Sequence, residues 1–255
     1  MSALLEVRGL TKRFQQPPAP AAVDDVSFVL ERGTTLGLVG ESGSGKSTTA
    51  HCILQLVRAD AGEILFEGQD LTKLGAGGLR PIRRDLQVVF QDPYSSLDPR
   101  LSIEDAVAEP LDIHGIGTRR ERRARARAML DRVGIDPAWG RRRPSQLSGG
   151  QRQRVGIARA FISEPKLVVC DEAVSALDVS IQAQVLNLLK DLQEETGLAY
   201  LFISHDLAVI RNVSDVVAVM QSGELVELAP ADTLFSAPQH EYTRRLLDAV
   251  PEIPA

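Results

Sequence analysis

Apolar side chains at Val26, Phe28 and Leu30 recur at every second position, the period of a half-buried strand. Before them, Leu4 to Leu10 reads as a short strand and the Pro/Ala-rich stretch Gln15 to Ala22 as a loop. Thr35 to Val39 is a compact apolar run that ends in glycine-rich sequence, and the pattern predicts a helix from there through about Leu56. Gly62 to Phe66 reads as a further antiparallel strand and Leu86 to Phe90 as a buried one. From about Asp92 to Ala160 strand signals vanish, and Ile103 to His114, Arg119 to Val133 and Gly150 to Ile162 carry helical spacing. Strands return at Leu167–Cys170, Ala199–Ser204, Val216–Met220 and Glu224–Glu227, with helices Ser180–Thr196 and Leu207–Val213 between the first three. Alternation of this kind implies a mainly parallel sheet with right-handed crossovers. The expected architecture is an all-helical insert between two halves of an α/β core, without internal repeats.

Composition narrows the class. The chain has 255 residues, 44% hydrophobic and 25% charged, enough for a buried core and far from the signature of disorder. Its net charge of −5 and 4% aromatic content give no basis for a nucleic-acid partner. No apolar run approaches the roughly 18–20 residues that span a bilayer, and the first residues lack the layout of a signal peptide. Cys52 and Cys170 stand far apart in apolar settings, which favours neither a disulfide framework nor a metal cluster. A cytosolic, soluble chain is expected, with any membrane role arising through a partner.

The chemistry concentrates in three places. Gly40-Glu41-Ser42-Gly43-Ser44-Gly45-Lys46-Ser47, followed by Thr48, fits a phosphate-binding loop between a strand and a helix. Its glycines allow successive N–H groups to face phosphate oxygens, and the helix adds the positive end of its dipole. Lys46 is placed to reach the β- and γ-phosphates and Ser47 to ligate Mg²⁺. A nucleoside triphosphate site follows, although the loop alone does not separate kinases, GTPases and ATPases.

Second, Leu167-Val168-Val169-Cys170-Asp171-Glu172 is an apolar strand ending in two carboxylates, which a parallel sheet delivers to its ligand crevice. Asp171 suits the Mg²⁺ shell and Glu172 the orientation or deprotonation of an attacking water; capping of the next helix is the plainer alternative. General-base assistance contributes about 10²–10⁴-fold, so loss of Glu172 should nearly stop turnover while sparing nucleotide binding. Third, Leu147-Ser148-Gly149-Gly150-Gln151 precedes a helix, with Ser148 as N-cap and two glycines leaving backbone N–H groups open to phosphate.

The combination resembles the ATP-binding cassette (ABC) family, whose signature reads LSGGQ at this place. The resemblance covers nearly the whole chain and implies a P-loop NTPase (RecA-like) core with an antiparallel β subdomain and an inserted α-helical subdomain. On that reading 1–255 is a single ATPase domain, with 1–91 and 161–255 as the core and 92–160 as the helical part. The resemblance further implies that Gln91 serves near the metal or water site, that His205 in Ser204-His205-Asp206 reads the γ-phosphate, and that Asp178 in Ser175-Ala176-Leu177-Asp178 lies at a subunit interface. Phe14 stands near the place of the aromatic that stacks on adenine, with a core role as its alternative. ATP and Mg²⁺ are the implied cofactors. A second cassette pairs head to tail, so that the phosphate loop of one faces the LSGGQ of the other. Two membrane permease subunits and, indirectly, an extracytoplasmic solute-binding protein complete the expected assembly on the inner face of the membrane.

Within the family, Val89 to Arg100 and Gln239-His240-Glu241-Tyr242-Thr243-Arg244-Arg245-Leu246-Leu247 look like the oligopeptide/dipeptide/nickel importer group, the latter being an HPYT-type segment. Glu241 replaces its usual proline, and Ala173 replaces the proline common after the catalytic glutamate. Neither is a phosphate ligand, so activity should survive both changes. Val23 to Leu38 looks more like the second of the two non-identical ATPases such importers use. The chain ends at Ala255, soon after that segment, which leaves room for a nickel or metallophore importer beside a peptide importer. Six arginines lie between Arg119 and Arg127, and Arg141–Arg143 adds three. They suit a solvated helix face, with Ala128, Leu130 and Val133 inward, better than a lipid-binding surface. A soluble cassette acting on ribosomes or DNA is the alternative of another class, but Ser47 to Leu147 lacks the long heptad run it would carry. A small-molecule kinase would leave LSGGQ and His205 unexplained.

Overall fold

The computed structural model describes residues 3–15, 19–92, 97–175 and 177–249. Part of the predicted 15–22 loop, residues 93–96 of the importer-like stretch, Ala176 of the Asp178 motif and the C-terminal residues through Ala255 lie outside these. The chain divides into two compact units, residues 1–77 with 199–255, and residues 78–198.

In the first unit, β1 (Ala3–Lys12) pairs antiparallel with both β2 (Val23–Glu31) and β4 (Ala61–Phe66), and β5 (Gln69–Asp70) extends the sheet. Register explains the alternation seen in the sequence. Leu5 stands between Leu30 and Phe66, and Val7 between Phe28 and Ile64, so one face carries cross-strand apolar rows buried to 3% exposure or less. Beside it, β3 (Thr35–Val39) runs parallel to β8 (Ala199–Ile203) and β9 (Val216–Gln221), while β10 (Glu224–Pro230) returns antiparallel to β9. Every residue of β3 and β8 is buried. Such burial is why these strands read as continuous apolar runs instead of alternating ones. Helices α1 (Lys46–Ile53) and α7 (Leu207–Val213) complete the crossovers, α1 ending three residues short of the expected Leu56. The helix α8 (Ala231–Ser236), too short for a periodic signal, follows β10.

The HPYT-type segment forms α9 (Glu241–Asp248). His240 caps it, Nδ1 accepting from Tyr242 N–H at 3.2 Å, and Glu241 occupies the first turn, where a proline or an acid is equally welcome. Glu227 of β10 accepts from Gln239 N–H at 2.8 Å and His240 N–H at 3.0 Å. Burial pushes the Glu227 carboxyl up, but the Gln239 and His240 N–H groups outweigh it and hold the group below its ordinary value.

In the second unit β6 (Leu86–Phe90) and β7 (Leu167–Asp171) pair in parallel, with Phe90 opposite Asp171. The helices are α2 (Ala76–Asp85, which begins at the boundary of the units), α3 (Ile103–Ile113), α4 (Arg119–Arg132), α5 (Gly149–Phe161) and α6 (Val179–Thr196). Helix α2 escaped the sequence pattern because Gly77, Gly78 and Pro81 are breaker signals and Leu79 is its only buried residue. Helix α4 opens with a capping box, Thr118 with Glu121. Its arginines are a solvated face tied down by carboxylates: Arg123 to Asp105 at 2.9 Å, Arg125 to Glu164 and Arg127 to Glu104 at 2.8 Å, and Arg122 to Asp112. Leu130 and Val133 point inward as expected, but Ala128 is exposed and Ala126 is buried in its place. Four residues bring a helix back to the same face, and two carry it across.

The buried Glu104 packs on Gly140, where an added Cβ would stand 2.8 Å from Glu104 Oε2 and 3.3 Å from its Cβ. Gly140→Ala should therefore cost about 1–3 kcal/mol by overpacking, read as a lowered midpoint of urea unfolding. Acid should act on the other unit through Glu227. Its folded value is depressed, so its stabilising effect is complete above the ordinary glutamate value of about 4.3 and is lost as pH falls through the lower, folded value. Melting curves below that pH should fall for the wild type and be flatter for Glu227→Gln.

Candidate functional site

Strand β3 delivers Gly40 at its carboxyl end, and the loop 40–47 turns back into α1. Two glycines are dictated by sterics. A Cβ at Gly40 would meet Met220 O at 2.2 Å, and at Gly45, with φ +106°, it would meet Ala22 O at 2.4 Å. Neither backbone carbonyl can yield as a flexible side chain would. Lys46 is buried, its Nζ donating to Gly40 O and Glu41 O at 2.8 Å and to Ser44 Oγ at 3.3 Å. Helix α1 has no side-chain cap and no acid in its first turn. Its first N–H groups and dipole end therefore present positive potential at the loop. Ser47 is exposed and Thr48 half-buried.

His205 reaches the same end of the sheet. Leu38 is in register with Ile203, and Ser204 N–H donates to Leu38 O at 3.3 Å, so the residues after β3 and after β8 emerge side by side. The buried Ser204 accepts from Asp206 N–H at 2.9 Å, and Asp206 caps α7 through Ala208 and Val209 N–H groups. Between those two residues His205 stands exposed. Phe14 is 64% exposed, with Lys12 Nζ 5.5 Å from its ring centre, which removes the core reading of this side chain.

In the second unit the β6–β7 pair does the same for the carboxylates. Asp171 ends β7 buried, and Glu172 follows half-buried with φ +50°, a left-handed backbone that an L-residue adopts at a cost of about 1–2 kcal/mol. Ser175 N–H and Oγ both donate to Glu172 O, at 3.1 and 3.0 Å, while Gln91 Nε2 donates to Ser175 Oγ at 3.2 Å. Gln91 and Glu172 are thus linked through Ser175, and Asp171 ends the strand just before Glu172.

Ser148 caps α5 as expected, within a full capping box. Its Oγ accepts from Gln151 N–H at 3.3 Å, and Gln151 Oε1 accepts from Ser148 N–H at 2.9 Å. Gly150 faces Ile181, whose Cγ2 would lie 2.7 Å from an added Cβ. A cleft of about 570 Å³ opens here, lined by Ser148 to Gln151 and by Leu177, Asp178 and Ile181. Leu147 is buried beneath the turn. Asp178 precedes α6 without capping it.

Residues 23–175 match the ABC transporter family. The chain belongs to that family. Its fold is that of a P-loop NTPase, and residues 226–255 match the oligopeptide/dipeptide transporter C-terminal region. Among relatives it is similar to the glutathione import ATP-binding protein GsiA of Salmonella paratyphi A, 52% identical over 97% of this chain, and to GsiA of Escherichia coli strain K12, 55% identical over 90%. The chain spans about two fifths of the length of those relatives, 41% and 37%. Among solved structures it resembles cbiO1 from Clostridium perfringens, part of the ABC transporter complex cbiONQ, with TM-score 0.82, 26% identity, and 93% of this chain and 92% of that one covered. It also resembles the ATP-binding cassette MJ0796 in a dimeric, post-hydrolysis state bound to ADP and Pi, with TM-score 0.81, 31% identity, and 89% of this chain and 98% of that one covered.

One residue of this cassette gave no signal in the sequence. Gln153, buried on α5 just after the LSGGQ turn, donates through Nε2 to Ala173 O at 2.6 Å and to Phe90 O at 3.4 Å. It ties α5 to the residue after Glu172 and the residue before Gln91. The helix is itself mixed, with Gln151, Arg152, Arg154 and Arg159 around it, so a glutamine there does not stand out. Gln153→Leu removes both bonds at nearly constant volume and leaves Ala173 O without its short partner, a loss of about 1–3 kcal/mol. The turnover number for ATP should fall about tenfold or more while the dissociation constant for ATP stays within about twofold, a split that steady-state kinetics and calorimetry resolve.

Proposed function

We propose that this chain is the ATP-hydrolysing subunit of an importer for peptides or peptide-like solutes. The observation that carries the reading is the enclosed Lys46 within a glycine-dictated phosphate loop, in a chain that matches both the ABC transporter family and the oligopeptide/dipeptide C-terminal region. Loop residues Gly40 to Thr48 bind the ATP phosphates through backbone N–H groups and hydroxyls, Lys46 neutralises the β- and γ-oxygens, and the exposed Phe14 stacks on adenine. Ser47, Gln91 and Asp171 each offer an oxygen donor, the hard chemistry that Mg²⁺ takes. Mg²⁺ held by these residues would supply positive charge to the terminal phosphate oxygens.

Hydrolysis needs water to attack the γ-phosphorus while its bond to the ADP oxygen breaks. Glu172 orients the water and accepts its proton, and His205 donates a hydrogen bond to the γ-phosphate. A second cassette supplies Leu147 to Gln151 in trans, with Asp178 at the shared interface, so that ATP bridges two subunits. Closure stores work only because closed and open dimers differ in ATP affinity. Two permease subunits in the membrane receive that motion on the cytoplasmic face, and a solute-binding protein outside supplies the cargo. Among the described residues no helix is long and apolar enough to cross a membrane. Glutathione, the cargo in the name of GsiA, is itself a tripeptide, which supports the peptide class.

Glu172→Gln should retain ATP binding, lose at least about 10²-fold in hydrolysis, and elute with ATP as a dimer with itself or with a second cassette. A monomer under all partner conditions, with ATP bound, would exclude the cycle. Pull-down of the tagged chain from solubilised membranes should bring two polytopic proteins with it; ribosomal or DNA-repair partners instead would overturn the transport role.

A further inference from the structure

We propose that Tyr242, in the HPYT-type segment, is a positioning residue of the phosphate loop. The proposal rests on Lys46 being a phosphate ligand. Glu41 N–H donates to Tyr242 Oη at 3.1 Å. The carbonyl on the other side of that same peptide group, Gly40 O, accepts from Lys46 Nζ at 2.8 Å. A planar trans peptide points its N–H and its C=O in opposite directions, so whatever holds the one aims the other. Tyr242 and Lys46 therefore grip a single peptide plane from its two edges.

That plane needs an anchor. Gly40 has no Cβ and sits at φ +149°, where rotation of the adjoining peptide meets little steric resistance. Rotated, the peptide would withdraw the Gly40 carbonyl from Lys46, swing it toward Tyr242 and leave the ammonium without that acceptor. The phenol prevents this without itself touching nucleotide.

Tyr242 is in turn well held. It is 4% exposed and its neighbour Thr243 1%. His240 caps the helix through Tyr242 N–H, and Glu227 clamps the approach by accepting from the Gln239 and His240 N–H groups. A continuous path of hydrogen bonds runs from β10 through α9 to the peptide beside Lys46, all within the first unit. It gives the importer-type C-terminal segment a task in nucleotide binding that the phosphate loop alone does not reveal.

The test is Tyr242→Phe in the full chain, which deletes one oxygen. MgATP affinity by calorimetry should fall about three- to tenfold, the yield of one net hydrogen bond. Amide exchange at Glu41, followed by NMR without nucleotide, should accelerate by a similar factor. A purely structural role would lower the melting temperature and leave both readouts unchanged in the folded protein. Equal ATP affinity and equal Glu41 exchange in the two proteins would overturn the proposal. Should the phenylalanine variant fail to fold, Glu227→Gln, which weakens the clamp behind α9, must move both readouts in the same direction by a smaller factor, and no movement in either overturns the proposal. The two readings fail separately. A wild type that does not bind MgATP sinks the ATP role and this proposal with it, whereas a wild type that binds, with Tyr242→Phe binding equally well, sinks this proposal alone.

Discussion

Parallel strand pairing imposes the constraint on which the rest depends. A strand buried on both faces has no side for polar chemistry, so its functional residues collect where the chain leaves the sheet. In the first unit β3 and β8 are buried throughout, and Gly40 and His205 appear immediately beyond their carboxyl ends. In the second, Phe90 lies opposite Asp171, so Gln91 and Glu172 emerge together from β6 and β7. The apolar interiors of these strands and the polar residues after them are one design seen from two sides.

Once the chain has left the sheet, its backbone has no ladder to hold it, and side chains take over. Ser175 and Gln153 secure the turn after Glu172, whose left-handed backbone would otherwise relax. Tyr242 performs the corresponding task for the peptide between Gly40 and Glu41. In each case the holding residue is a neutral donor or acceptor beside a charged group that must remain available, Gln153 and Tyr242 being buried and Ser175 exposed. Neutral groups suit the task because they fix geometry without neutralising Lys46 or Glu172.

The helical portion follows a different economy. Its surface helix α4 carries many like charges, yet they are dispersed onto carboxylates of α3 and of the turn after α5. Exposed pairs of this kind contribute little individually. The exception is the buried Glu104, enclosed between Arg127 and the glycine at 140, where both charge and volume are constrained.

The sequence alone determined the strand–loop–helix of the phosphate site, the buried strand ending in Asp171 and Glu172, the capped LSGGQ helix and nearly every long element, because each rests on local periodicity, on capping or on glycine's freedom at a turn. Where local rules conflicted, it misled: glycines and Pro81 hid α2, and Ala128 was placed inward on a helix that buries Ala126. It also left Phe14 divided between stacking on adenine and a core role, and exposure removes the second. Only the tertiary structure revealed Gln153 between two strand ends and Tyr242 beside Glu41, residues 63 and 201 positions from the groups they hold. A hydrogen bond across such a separation leaves no period in the sequence, since its two partners meet only after the fold has brought their segments together.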